Sequence, residues 1–174
     1  MILPPPRTPG RYRIGLVCLG NICRSPVADV VLSAQVTAAG LADHVDVASC
    51  GTGSWHVGEP MDRRSAATLE AAGYDPTRHV AQRYDATWAE DYELLLAMDE
   101  QNLADLGGRG PRTRLLRDAD PDRPDRPDGA DTADRAVPDP YYGGPSGFEE
   151  VLAMVERSCA VLVAALPAVL EVDP

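Results

Sequence analysis

Lysine is absent: all 16 basic residues of this 174-residue chain are arginine. A phosphate loop that depends on lysine and Schiff-base catalysis are thereby excluded, and any cationic work falls to Arg. Positive charge is scarce altogether, with a formal net charge of −11 and a sequence pI near 4.6. Nucleic acid and an anionic membrane are therefore not expected as partners, and any phosphate site must be a local positive island. Residues 1–10 are rich in proline and lack the apolar core of a signal peptide, so they read as a short disordered lead. No apolar run approaches the length that crosses a bilayer, and no internal repeat is visible. Without an export signal, Cys18, Cys23, Cys50 and Cys159 are expected as free thiols in the reducing cytoplasm.

What is present suits one α/β domain spanning about residues 11–170, long enough to bury roughly 70% of the unfolded chain's surface. Arg13 to Val17 reads as a short buried strand, followed by a loop and a helix from Ser25 to Ala39 that Gly40 stops. Val45 to Ser49 is a second strand, and Asp62 caps a helix that runs through Ala72 to Gly73. Tyr92 to Met98, nearly all apolar, predicts a third strand buried on both faces. A short helix from Glu100 to Leu106 follows, then an edge strand at Leu115-Leu116. From about 118 to 136 the chain is mostly Asp, Pro, Arg, Gly and Ala, the composition of a solvated acidic loop. Gly147 to Leu166 carries apolar residues at helical spacing and predicts a terminal helix packed on the sheet. The expected architecture is an open, mostly parallel four-stranded sheet with helices on both faces, three layers in all, and a ligand at the carboxyl ends of the strands.

The segment that carries chemistry is Cys18-Leu19-Gly20-Asn21-Ile22-Cys23-Arg24-Ser25, at the junction between the first strand and the first helix. Strand-to-helix junctions bind anions, because free backbone N–H groups and the helix dipole point at the ligand. Pro26 suits the first turn of that helix, where its missing N–H costs nothing. A thiol, small residues, then Arg and a hydroxyl suggest a loop wrapped around one phosphoryl group and cleavage of a phosphate ester by a thiolate. Arg suits this better than Lys because its planar fork can hold two phosphoryl oxygens at once. Asn21 suits a left-handed backbone. A second segment, Val137-Pro138-Asp139-Pro140-Tyr141-Tyr142, holds an Asp between two prolines beside paired aromatics. It can be read as a general acid next to a ring-binding wall, or as an ordinary turn with half-buried tyrosines.

These two segments, in this order and about 120 residues apart, resemble the low-molecular-weight protein tyrosine phosphatases. Gly51-Thr-Gly-Ser-Trp-His-Val-Gly-Glu-Pro and Ala97-Met-Asp-Glu-Gln-Asn are similar to that family's bacterial members. The resemblance implies hydrolysis of phosphotyrosine in a protein substrate through a phosphocysteine intermediate, with no metal or cofactor. Cys18 would be the nucleophile, Arg24 the phosphate clamp and Asp139 the general acid. Ser25 would assist the sulfur, Ser49 and His79 would tie down Asn21, and Trp55, Tyr141 and Tyr142 would line the ring slot. Asp99 matches a position expected to be structural. Cys23 would be either a redox partner able to form a disulfide with the nucleophile or a small buried thiol, with Cys50 and Cys159 filling core. The chain is expected to act as a monomer.

Two alternatives stand beside this reading. An arsenate reductase of the same fold would need a further cysteine pair, and no Cys lies between Cys50 and Cys159. A non-catalytic phosphate-binding module would not need Cys, Arg and Asp together. A zinc site from Cys18, Cys23, Cys50 and His56 lacks the paired-ligand spacing.

Overall fold

Strand β1 (Tyr12–Cys18) is the axis of the fold, in a computed structural model that describes residues 2–123 and 135–171. It pairs in parallel with β2 (Val45–Gly51) on one side and with β3 (Leu94–Ala97) on the other. β4 (Thr113–Leu115) adds in parallel to β3, giving the order β2-β1-β3-β4. All four strands are parallel, so every connection is a crossover and both faces are covered.

Alternation along the strands sorts the core into two sides. Tyr12, Ile14 and Leu16 of β1 join Leu94 and Leu96 of β3 in one large cluster. It is shared with α1 (Arg24–Ala38) and with α5 (Pro145–Leu170). Leu69 of α2 (Arg63–Ala71) joins the same cluster. On the opposite face Val17, Cys50 and Leu95 pack with Trp88 of α3 (Thr87–Asp91). Ala97 and Leu115 pack with Leu103 of α4 (Glu100–Asp105). Gly15 lies where a β-carbon would stand 2.6 Å from Leu95 and 3.1 Å from the Trp88 ring, so only glycine lets that indole reach the sheet.

Most expected elements are found with their ends moved by a residue or more. Asp62 caps α2 by accepting from the Arg64 N–H at 2.8 Å, and Gly40 and Gly73 follow α1 and α2 in the left-handed region. The sequence reading missed α3, which is five residues long and shows no helical period. Leu115 ends β4, while Leu116 begins a 3₁₀ turn, Leu116–Ala119.

Three expectations are corrected. Residues 2–10 are not a disordered lead: Leu3 is buried in the main cluster and the Pro4 carbonyl accepts from the Tyr12 hydroxyl at 3.1 Å. Arg112 and Arg114 bind the carbonyls of Pro5 and Ile2, so scattered partners in the body hold a segment whose composition alone looked unfoldable. The acidic loop begins later than 118, because Asp120 is buried against Arg157 in a fork of 3.0 and 3.1 Å. Residues 124–134 of that loop lie outside the described residues. Finally, α5 is 26 residues long with mean hydropathy 1.7 in its most apolar window, long and apolar enough to cross a membrane. Its apolar stripe, including Val151, Val155, Leu162 and Leu166, is buried in the main cluster.

If the lead is part of the core, Leu3→Ala costs about 2 kcal/mol or more of unfolding free energy in urea titration. A change of only a few tenths would return the lead to the status of a tail.

Candidate active site

The loop from Cys18 to Ser25 leaves the carboxyl end of β1 and enters α1. Its shape is set by where its carbonyls point. Those of Cys18, Leu19 and Ile22 accept from the N–H groups of Thr52, Gly53 and Asp62 at 2.9, 2.8 and 2.8 Å. That of Asn21 accepts from His79 Nε2 at 2.8 Å, and that of Cys23 from Val27 within α1 at 3.2 Å. In a trans peptide the N–H is antiparallel to the C=O. Each outward carbonyl therefore turns the next residue's N–H toward the space above the Cys18 sulfur. Asn21 turns the corner at φ 55°, as expected, and its own N–H donates to Sγ at 3.2 Å. Gly51 is required beside the loop, because a β-carbon there would lie 2.7 Å from the Leu19 oxygen.

Asn21 is held on its side chain as well. Its amide donates to Ser25 Oγ at 2.9 Å, and its oxygen accepts from the Gln82 N–H at 2.9 Å. The Ser25 hydroxyl stands 3.0 Å from Cys18 Sγ and 3.3 Å from the Cys50 carbonyl, so one proton serves two acceptors. His79 supports the loop as expected, and burial pulls its pKa down against the bond to Asn21. Ser49 does not. It pairs with Leu16 in the sheet, on the side facing α1, and its hydroxyl has no partner on the loop. The residue that takes this role is Gln82, whose side chain donates to the Ser49 carbonyl at 2.9 Å and whose own carbonyl accepts from Gly51 at 2.9 Å. Nothing in the sequence around Gln82 signals this, since it sits in an irregular segment.

Arg24, buried at the start of α1, stretches across the site. Its Nη1 binds Asp99 at 2.5 Å and the Val137 carbonyl at 3.3 Å, and its Nη2 lies 3.4 Å from Asp139. Burial works against its charge, but Cys18, Asp99 and Asp139 outweigh that and raise its pKa. Asp99 serves two elements: one oxygen caps α4 through the Asn102 N–H at 2.7 Å, and the other holds Arg24. Asp139 is 44% exposed, and its second oxygen accepts from the Tyr141 N–H at 3.1 Å.

The cavity above Sγ holds about 240 Å³. Leu19, Gly20, Ile22 and Cys23 line it with Cys18 and Arg24, and Trp55, Asp139, Tyr141 and Tyr142 complete its wall. Trp55 and Tyr142 are 71% and 93% exposed, so the rim is apolar and open while the floor is polar and closed. His56 also lines it, held at 2.6 Å by Glu59. The sequence reading considered His56 only as a zinc ligand. Among the described residues no group of three or more His, Cys, Asp or Glu is placed to hold a metal ion. The expected site residues other than Ser49 thus come together at one end of the sheet.

Comparison with known proteins agrees with this geometry. Residues 13–171 match the family described as low molecular weight phosphotyrosine protein phosphatase. A low molecular weight protein-tyrosine-phosphatase of Streptomyces coelicolor is 42% identical over 161 residues, 89% of this chain and 93% of that one. Low molecular weight protein-tyrosine phosphatase A of Mycobacterium bovis is 43% identical over 148 residues, covering 83% and 85% of the two chains. A protein tyrosine phosphatase from Entamoeba histolytica, solved with Hepes in its active site, superposes with a TM-score of 0.80 at 27% identity. It covers 90% of this chain and 97% of its own. With a loop built around a cysteine sulfur and relatives aligned over most of its length, the chain belongs to the low-molecular-weight phosphotyrosine protein phosphatases.

Proposed function

We propose that this phosphatase hydrolyses phosphotyrosine in proteins by two in-line displacements at one phosphorus, with Cys18, Arg24 and Asp139 as its reacting groups. The observation that carries the reading is the ring of outward carbonyls, which aims backbone N–H groups over a sulfur already accepting from Asn21 and Ser25. Such donors meet the negative charge of three phosphoryl oxygens and stay in place through the transition state. Arg24 supplies the fixed positive charge that the composition otherwise withholds. Its guanidinium, held from behind by Asp99 and Val137, presents its remaining N–H groups to two of those oxygens.

In the first step the Cys18 thiolate attacks phosphorus, the bond to the phenolic oxygen breaks, and Asp139 gives that oxygen its proton. The exposed face of Asp139 opens onto the mouth where the tyrosine ring would leave. In the second step the Asp139 carboxylate takes a proton from water, whose oxygen attacks phosphorus. The S–P bond then breaks and phosphate departs. The Ser25 hydroxyl stabilises the returning thiolate by giving its single hydrogen bond to sulfur instead of to the Cys50 carbonyl. Trp55, Tyr141 and Tyr142 supply apolar surface for a ring, which favours an aryl phosphate over a short phosphoserine.

Cys23 bears on regulation. It lines the same cavity, and burial pushes its thiol up to about 12. Once peroxide has oxidised Cys18 to a sulfenic acid, attack by Cys23 would form a disulfide and release water. The raised pKa makes this capture slow, because the thiolate is the attacking species. The four free, buried cysteines support a reducing, cytoplasmic setting, and a single self-contained site supports action as a monomer.

Cys18→Ser abolishes turnover of aryl phosphates, with EDTA present and the fold intact by circular dichroism, because a hydroxyl does not ionise near neutral pH. Residual activity close to wild type overturns the mechanism. Asp139→Asn slows kcat/KM for phosphotyrosine by ~10²–10⁴-fold and for an activated nitrophenyl ester by much less. Equal losses on the two would make Asp139 a structural residue.

For oxidation, peroxide-treated wild type recovers activity with dithiothreitol and shows a Cys18–Cys23 crosslink by mass spectrometry. Sulfinic acid at Cys18 beside a free Cys23 would remove the redox role.

A further inference from the structure

The segment that carries Asp139 is tied to the rest of the molecule by a side chain with no part in the chemistry above. Arg64, in the first turn of α2, lies with its guanidinium flat in a fixed fork. Its Nε and Nη2 bind the two oxygens of Asp62 at 3.1 and 2.9 Å, and Asp62 also accepts from the Arg64 backbone N–H. That leaves Nη1, which donates to the Tyr141 carbonyl at 2.9 Å. The guanidinium carbon sits 5.3 Å from the centre of the Tyr141 ring and 4.7 Å from that of Phe148, at the start of α5. Both distances lie in the range of attraction between a cation and an aromatic face.

Tyr141 is the residue whose N–H holds Asp139, at 3.1 Å. Pro138 and Pro140 fix their own φ on either side of the aspartate, and the Pro140 carbonyl accepts from the Gly143 N–H at 2.9 Å, so Tyr141 sits in a closed turn. Holding its carbonyl and its ring fixes the direction of its N–H. That in turn fixes the carboxyl, which is otherwise 44% exposed and, among the described residues, restrained by a 3.4 Å contact with Arg24. The same α2 terminus reaches the nucleophile loop, where the Asp62 N–H donates to the Ile22 carbonyl. The Asp62–Arg64 pair therefore braces the loop of the nucleophile and the loop of the acid from one rigid helix end. We propose that Arg64 is a positioning residue for the general acid, holding Asp139 at its proton-donating distance through Tyr141. The inference rests on Asp139 acting as that acid.

The test is a double-mutant cycle read with two substrates. Arg64→Met keeps an unbranched alkyl stem and removes every side-chain donor, and Arg64→Lys keeps the charge on a single donor nitrogen. Arg64→Met loses about tenfold in kcat/KM on phosphotyrosine and little on an activated dinitrophenyl ester, the cost of misplacing a reacting group by a fraction of an ångström. Arg64→Lys falls between Met and wild type. In an Asp139→Asn background Arg64→Met has no further effect, since the group it positions is gone. Equal losses on both esters, or a full loss persisting in the Asp139→Asn background, overturn the inference and leave Arg64 as packing between α2 and α5. If Asp139→Asn alone shows no leaving-group dependence, the reading of Asp139 fails first, visibly in its own arm, and the brace has nothing to hold.

Discussion

The site depends on carbonyl groups being held away from it. Backbone N–H groups can line an anion hole only if the oxygens of the same peptides have partners elsewhere, since an unpaired buried carbonyl is costly. Thr52, Gly53, Asp62 and His79 provide those partners, from the segment after β2, the α2 cap and the stretch beyond α2. Remove that outer layer and the loop would relax by turning its carbonyls inward, toward the substrate's charge. The parallel sheet exists, in functional terms, to bring β2 and its following segment alongside the end of β1. Gly51 makes the approach close enough.

Arg24 obeys a related constraint. A buried cation needs compensation, yet a cation fully neutralised by carboxylates would bind no anion. The arrangement divides the load. Asp99 takes the inner nitrogen at 2.5 Å, and Asp139 stands off at 3.4 Å near the outer one. The weaker contact belongs to the carboxylate proposed to deliver the proton.

Much of this was legible in the chain. The apolar runs at Ile14 and Leu94 gave the strands, Asp62 and Gly73 gave the ends of α2, Cys18 and Arg24 stood out by type and position at a strand-to-helix junction, and Asp139 took its role from the family resemblance. What was not legible was held by partners far away in sequence. The proline-rich lead looked unfoldable because Arg112 and Arg114, which bind the carbonyls of Pro5 and Ile2, lie more than a hundred residues on. Gln82 and Arg64 reach the site's loops through hydrogen bonds in which one partner is a backbone group, and these leave no pattern in residue type. Ser49 was placed by resemblance, and its hydroxyl, on the face toward α1, finds no partner on the loop. The exposed tyrosines could be read either as a turn or as a wall until the cavity showed them on its rim.

The span of Arg24 has a consequence for how the enzyme comes into being. Its partners Asp99, Val137 and Asp139 lie 75, 113 and 115 residues away along the chain. During synthesis the thiol emerges first and the acid almost last, so a chain growing on the ribosome carries a nucleophile without its clamp in place. The segment before α5 delivers the final groups, and α5 itself seals the core beneath α1. The set of groups around Arg24 is thus complete only once the segment before α5 has been made and folded into place.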